Sequence, residues 1–208
     1  MSHKIKRALI ERIAEGVYVP GDRLIELQLA REFQTSQAPV REALCQLEAM
    51  RIVETQPYKG TRVREISHKE LEECLQIRAS LEQLAAELAG NAIAAKLVEL
   101  KAAAEETLRA AKAKSARDYA IANLEFHRII VEASGSETLI SIWDSLAPEV
   151  RMLASVKEHV ETLMEPAHDH SEIVDAFAEG DYRFAGRLLR KHAEAALAMN
   201  LVPKDSAI

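Results

Sequence analysis

Three histidines and one asparagine in the second half of the chain have spacings compatible with a metal site. Asn123 and His127 are four residues apart, so on a helix their side chains lie on one face. His170 and His192 flank Gly180-Asp181 at nearly equal distances. In a helical hairpin turning there, both lie about 15–17 Å from the turn. The four side chains could converge inside a bundle, although spacing alone also allows separate histidines, each hydrogen-bonded on its own helix.

Three imidazoles and an amide oxygen form a donor set for a borderline divalent ion such as zinc, nickel or manganese. A site with three histidines also leaves a coordination position open for water or for a ligand. The sequence therefore predicts a divalent metal as cofactor, if the histidines converge.

A second group of residues has the types and order expected of a DNA-reading helix over residues 36–50. Its apolar stripe is Val40, Ala43, Leu44 and Leu47. Gln37 and Arg41 lie one turn apart on a neighbouring face, with Ala38 beside them. Glutamine can pair with adenine and arginine with guanine, each good pair discriminating by about 1–3 kcal/mol. Arg41 could instead bind a phosphate, a contact that positions the protein on DNA but does not select a base sequence.

The start of this helix and a later turn offer further DNA contacts. Thr35, Ser36 and the first-turn amides suit a phosphate, Ser36 is a good N-cap, and Pro39 is tolerated in a first turn. The tip at Lys59, Gly60 and Thr61 permits close approach to the DNA backbone or minor groove. Taken alone, the helix could equally be an ordinary solvated one, and its surroundings favour the DNA interpretation.

These surroundings are three helices followed by a hairpin. Ile5, Leu9 and Ile13 indicate a first helix that stops at Gly16. Residues 24–33 predict a second helix with Leu27, Ala30 and Phe33 inward. Residues 51–65 predict two strands whose tip is Pro57–Gly60. The pattern predicts a winged helix-turn-helix over residues 1–66.

From Ser67 onward the pattern predicts only helices. Expected helices span about 67–89, 92–113, 116–133, 136 onward, 166–179 and 181–199. Pro148 should kink or split the fourth of these. The fold class is therefore mainly α: a winged helix-turn-helix with a small β-hairpin wing, then an antiparallel bundle of six or seven helices over residues 67–208.

Charge and composition agree with this division. Residues 1–66 hold 11 Lys/Arg and 9 Asp/Glu, a net +2, and the remainder holds 16 and 24, a net −8, which together give −6. A mildly basic N-terminal part followed by an acidic remainder is the charge distribution expected of a DNA-binding protein whose larger part stays off the phosphates. Two cysteines provide no disulfide framework, and we find neither a signal peptide nor an 18-residue apolar run. We expect a soluble, cytoplasmic protein with no membrane partner.

The N-terminal part, residues 1–66, resembles the DNA-binding domain of GntR-type transcription regulators. The resemblance is carried by Pro20-Gly21-Asp22-Arg23-Leu24, Leu29-Ala30-Arg31-Glu32-Phe33, Ala38-Pro39-Val40-Arg41-Glu42-Ala43-Leu44 and Lys59-Gly60-Thr61-Arg62-Val63. The helical remainder is similar to the ligand-binding FCD-type domain of the FadR subgroup. This chain has Gln34 where that family usually has Gly, and Gln37 where it usually has Arg. Both residues lie at or just before the start of the DNA-contacting helix, so the family's usual operator sequence cannot be assumed for this chain.

The resemblance also implies roles in the body. Asn123, His127, His170 and His192 fall where many members of the subgroup carry an Asp and three His that hold a metal. Arg78 matches an arginine that commonly faces the ligand cavity. Apart from the resemblance, Arg151, which follows Glu149-Val150 in the predicted kinked helix, is a weaker second candidate for binding a small carboxylate. Because Asn123 replaces a carboxylate, we expect weaker metal binding and a greater tolerance for an anionic ligand.

The sequence thus predicts a homodimeric, sequence-specific regulator, not an enzyme. Two heads would read a pseudo-palindromic DNA operator, and an organic acid in a metal-containing cavity would modulate affinity. One alternative is a metal sensor whose ion is itself the signal. Another is a helical-bundle metalloenzyme, against which the chain lacks paired Glu-x-x-His motifs and any nucleophile–base constellation.

Overall fold

The computed structural model describes residues 1–157 and 159–200. The chain divides into two compact units after Ser67. We call residues 1–67 the head and the residues from 68 onward the body. The division lies one residue beyond the expected boundary between residues 66 and 67.

The head contains three helices, α1 (Ser2–Ala14), α2 (Glu26–Glu32) and α3 (Gln37–Ala49). α1 packs against α3. The buried apolar side chains of these two helices are Ile5, Leu9, Ile10 and Ile13 of α1, and Val40, Ala43, Leu44 and Leu47 of α3. Leu27 is 47% exposed, so the expectation that it faces inward is wrong. α2 buries Ala30, as the pattern predicts, and Leu29 in place of Leu27, and it begins two residues later than predicted.

The wing is a three-stranded antiparallel sheet. β2 (Val53–Gln56) and β3 (Gly60–Val63) form the predicted hairpin, with Val53 opposite Val63. β1 (Arg23–Leu24) pairs with the other side of β3, giving the order β1-β3-β2. The sequence pattern assigns Leu24 to α2, which is wrong because a two-residue strand has no alternation by which to recognise it.

Seven α-helices form the described part of the body, in agreement with the predicted bundle. They are α4 (His68–Ala89), α5 (Leu97–Lys112), α6 (Ala116–Ala133), α7 (Glu137–Ser145), α8 (Pro148–Lys157), α9 (Met164–Ala178) and α10 (Tyr182–Asn200). Short 3₁₀ segments cover Gly90–Lys96 and Val160–Thr162. Pro148 begins α8, so the predicted fourth helix is split there.

The three helices that carry the predicted metal ligands, α6, α9 and α10, each pack against α4, α5 or both. α10 lies along α4 and also packs on α9, while α5 contacts both α6 and α9. A Cβ at Gly186 of α10 would lie only 3.0 Å from the backbone oxygen of Gln83 in α4, so glycine permits this close approach. In residues 1–157 and 159–200, no helix combines the length and apolarity needed to cross a bilayer.

Candidate functional site

The structure brings three of the predicted metal ligands together inside the body. One ring nitrogen from each of His127, His170 and His192 lies within 4.8 Å of the others. The ring centroids of His170 and His192 are 4.6 Å apart, and His127 lies 5.7 Å and 5.5 Å from them. All three are buried. The hairpin geometry explains the meeting of α9 and α10: the connection turns at Gly180 (φ 77°), which places the two histidines level.

The tautomer of His170 follows from its hydrogen bonds. Its Nδ1 lies 3.2 Å from the hydroxyl oxygen of Thr107. That hydroxyl donates its single proton to the carbonyl of Ala104, 2.7 Å away. The oxygen must therefore accept from His170, so Nδ1 carries the proton and Nε2 carries the lone pair that could bind a metal.

The other two histidines each have a carboxylate beside Nδ1. His192 Nδ1 lies 3.1 Å from Asp169 Oδ2. His127 Nδ1 lies 2.9 Å from Glu82 Oε2, in a charge contact whose angle falls outside the hydrogen-bonding range. A carboxylate can only accept, so the proton of each neutral ring belongs on Nδ1. All three rings consequently leave Nε2 as the available donor.

Whether these residues fit a metal can be judged from the buried polar atoms that lack a hydrogen-bond partner. Among the described residues, His127 Nε2, His170 Nε2 and Asn123 Oδ1 are buried and have no hydrogen-bond partner. The amide nitrogen of Asn123 donates to Met152 Sδ at 3.1 Å, which leaves the amide oxygen as the group without a partner. Each unsatisfied buried group costs about 1–3 kcal/mol. An ion that accepts lone pairs from these atoms would relieve those costs, so the donor set fits a divalent cation.

Burial also keeps the imidazoles of His127 and His170 in the form that ligates metals. Because burial disfavours the charged ring, the pKa of His170 lies well below its usual range, and His192 and His127 lower it further. Burial likewise lowers the pKa of His127 against the opposing effect of Glu82. Neutral imidazole is the form that donates to a metal.

Arg78 and Glu82 complete the buried cluster, and Glu82 is absent from the sequence-based prediction. Arg78 is 5% exposed, and its Nε lies 3.2 Å from Glu82 Oε1. Trp143 Nε1 donates to the same oxygen at 3.0 Å. Burial raises the pKa of Glu82, but His127 and the Arg78 guanidinium outweigh it, and the pKa lies below its usual range. The permanent charge of Arg78 keeps Glu82 ionised even beside a neutral His127.

Arg151 is also buried, but its described contacts point elsewhere in the body. Its guanidinium donates to the backbone oxygen of Leu146 and lies 3.2 Å from Glu70 Oε1. These contacts join α8 to the start of α4. Its suggested role in gripping an effector remains a prediction.

In the head, the predicted reading residues form an exposed surface at the start of α3. Gln37, Ala38 and Arg41 are exposed, and Ser36 is the N-cap residue without making a side-chain capping bond. The Arg41 guanidinium is held by Glu26 of α2 through Nη2 at 2.9 Å and through Nε. The polar groups at this helix start are thus displayed to solvent, with Arg41 restrained by a neighbouring carboxylate.

The remaining predicted DNA-contacting residues differ in accessibility. Thr35 and Pro39 are half-buried beside the start of α3, while Lys59 and Gly60 are exposed at the wing tip. Thr61 is 8% exposed, and its hydroxyl lies 3.1 Å from that of Thr55 on the paired strand. Thr61 lies on the central strand of the sheet, paired with Leu24 and Thr55, so little of it is accessible, and its contact with DNA stays a prediction.

A winged helix-turn-helix followed by an all-helical domain defines a class of DNA-binding transcription regulators. The family model described as "Bacterial regulatory proteins, gntR family" matches residues 1–63, and the FCD domain model matches residues 73–195. The chain belongs to the GntR family, in the branch that carries an FCD domain, as the FadR-subgroup resemblance implies.

Similar proteins support the same assignment. A "Probable D-xylose utilization operon transcriptional repressor" of Paenarthrobacter nicotinovorans is 32% identical over 95% of this chain and 87% of its own length. The gluconate operon transcriptional repressor of Bacillus licheniformis is 29% identical over 82% of this chain and 72% of its own. The solved structure of E. coli McbR/YncC has the same fold, with a TM-score of 0.81 at 24% identity over 96% of each chain. These relatives are regulators rather than enzymes.

Proposed function

We propose that this chain is a repressor whose operator affinity is modulated by a small carboxylate bound in the body beside a divalent ion. The observation that carries the proposal is the buried convergence of His127, His170 and His192, with Nε2 of His127 and of His170 left without a hydrogen-bond partner. Asn123 Oδ1 would be the fourth protein donor. A bound ion would supply positive charge and an open position for a carboxylate oxygen.

Arg78 would supply the second positive group that an organic acid needs. It is buried in the same cluster, linked to His127 through Glu82. Guanidinium and carboxylate form strong charge-assisted hydrogen bonds. The relatives' names refer to D-xylose utilization and gluconate operons, so sugar acids are the first carboxylates to test.

The experiment combines metal analysis with an effector screen. Protein purified without chelator should contain close to one zinc, nickel or manganese ion per chain. Sugar acids and other small carboxylates should raise the melting temperature of the metal-loaded protein and change its affinity for DNA. Protein without any divalent ion would refute the metal site. A change in DNA affinity caused by metal alone would identify a metal sensor instead.

The proposed homodimer has a candidate interface on α4 and α10. Ile77, Leu84 and Leu88 are exposed and spaced by seven and four residues, which places them along one stripe of α4. The neighbouring helix α10 carries exposed Phe184 and the exposed arginines Arg183, Arg187 and Arg190. α4 carries the exposed glutamates Glu73 and Glu87. This pairing of apolar surface with opposite charges suits a second copy of the chain, in a two-fold interface.

Introducing a charge into that stripe should disrupt the dimer. We expect Leu84→Glu to shift the protein towards monomer in sedimentation equilibrium, because two buried carboxylates would face each other across a two-fold interface. Val98→Glu, at an exposed residue of α5, is the control and should leave the dimer intact. A Leu84→Glu protein that associates like wild type would exclude this face.

The Arg41–Glu26 pair leads to a prediction about operator binding. Glu26→Gln should tighten binding by up to about fivefold per head, because an exposed ion pair is worth at most about 1 kcal/mol and competes with DNA for the guanidinium. Fluorescence anisotropy on an operator selected from random duplexes would measure this. Glu11→Gln, which removes the exposed Arg7–Glu11 pair of α1, is the matched control. Weaker binding by Glu26→Gln would instead mean that Glu26 aims Arg41 at the DNA.

A further inference from the structure

We propose that Glu82 and Asp169 act as outer carboxylates of the metal site, each supplying through a histidine the negative charge that Asn123 lacks. This inference rests on the proposed metal site and adds two residues to it. Both are positioning residues, since each contacts a ligand's far nitrogen and neither is assigned a bond to the ion.

The two carboxylates approach the site from different helices. Glu82 of α4 is fully buried, with Oε2 at 2.9 Å from His127 Nδ1. Asp169 of α9 has a side chain 35% exposed, with Oδ2 at 3.1 Å from His192 Nδ1. A carboxylate behind a ligating histidine fixes the ring and makes its other nitrogen a better donor. His170 has the neutral Thr107 in the same position.

The charges explain why the outer carboxylates are needed. Asn123 and three neutral histidines carry no charge, and a buried dication without compensation is strongly unfavourable. Glu82 and Asp169 offset two positive charges, while Arg78 adds one. The metal-loaded cluster would then carry a net charge of +2 − 2 + 1 = +1. That charge complements a singly charged carboxylate, in line with the proposed class of effector.

A purely structural role for these carboxylates makes a different prediction. Glu82 also contacts Arg78 and Trp143, so its loss could loosen the packing of α4 and α7 without involving a metal. After a packing defect of that kind, Asn123→Asp should raise zinc affinity by the same factor as it does in the otherwise wild-type chain. After a charge deficit it should raise zinc affinity by a larger factor, because it places a carboxylate directly among the ligands where one is missing.

The test is a zinc titration of the full chain in competition with a chromophoric chelator. Glu82→Gln and Asp169→Asn should each weaken zinc binding by roughly 10- to 100-fold, the usual effect of losing such a partner. Glu73→Gln on α4 and Asp175→Asn on α9 remove exposed carboxylates of the same helices and should bind zinc like wild type.

Rescue by Asn123→Asp then separates charge from packing. Adding it to Glu82→Gln or Asp169→Asn should raise zinc affinity by a larger factor than adding it to the wild-type chain, and so restore most of the lost affinity. If Glu82→Gln fails to fold because Arg78 loses its partner, the inference is tested by comparing Asp169→Asn with and without Asn123→Asp. Zinc binding by Asp169→Asn equal to wild type, or a gain from Asn123→Asp no larger in the variants than in the wild-type chain, would overturn the inference. A wild-type protein that takes up no zinc would overturn the metal site itself before any variant is compared.

Discussion

Replacing His170 with alanine is expected to abolish the stabilisation of the body by zinc. Wild type at a free zinc concentration of about 1,000 times its dissociation constant should gain about 4 kcal/mol. That gain corresponds to a rise in melting temperature of about 8–16 °C. The variant loses a fully buried donor whose Nε2 has no other partner among the described residues, so the gain should disappear.

Thermal unfolding with and without zinc measures this gain within each variant. The comparison does not depend on how much the substitution changes the metal-free protein. His168→Ala removes an exposed histidine of the same helix and should keep the full gain. An equal zinc-dependent gain in His170→Ala and wild type would contradict the assignment of His170 as a ligand.

Replacing Arg41 with alanine should weaken operator binding by roughly 30-fold or more. A guanine contact is worth about 1–3 kcal/mol, and a dimer loses one such contact in each head. Arg7→Ala, at an exposed arginine of α1, should have little effect. The measurement is anisotropy on the selected operator at several salt concentrations.

The same titration distinguishes two uses of Arg41. If it reads a base, Arg41→Ala should relax specificity at one position of each half-site. If it binds a phosphate, affinity should fall equally on all sequences, and the salt dependence should lose about one unit per head. Binding of Arg41→Ala that matches wild type would remove Arg41 from the interface.

Much of the fold could be predicted because its signals are local. Ser134-Gly135 marks the end of α6, whose observed bounds are those expected. Pro148 marks the break between α7 and α8. By contrast, β1 forms only because β3 offers it a partner, and the exposure of Leu27 follows from how α2 packs against α3. Such features are decided by tertiary contacts, which a local pattern does not contain.

The candidate site divides in the same way. The alignment of His170 with His192 follows from counting residues to a turn, but the outer carboxylates do not. Asp169 adjoins His170 in sequence yet contacts His192 across the hairpin. Glu82 could have been noticed four residues after Arg78 on one helical face, although only the packing of α4 against α6 shows that it contacts His127.

The position of Trp143 gives this protein a built-in optical reporter. Trp143 is the sole tryptophan of the chain, it is fully buried, and its indole N–H is bonded to Glu82. Its ring also lies under the guanidinium of Arg128, 4.9 Å from the ring centroid. Indole emission depends on nearby charge and hydrogen bonding, so rearrangement around Glu82 should change its intensity or wavelength. Occupancy of the cluster can therefore be followed in real time by intrinsic fluorescence, without attaching a dye.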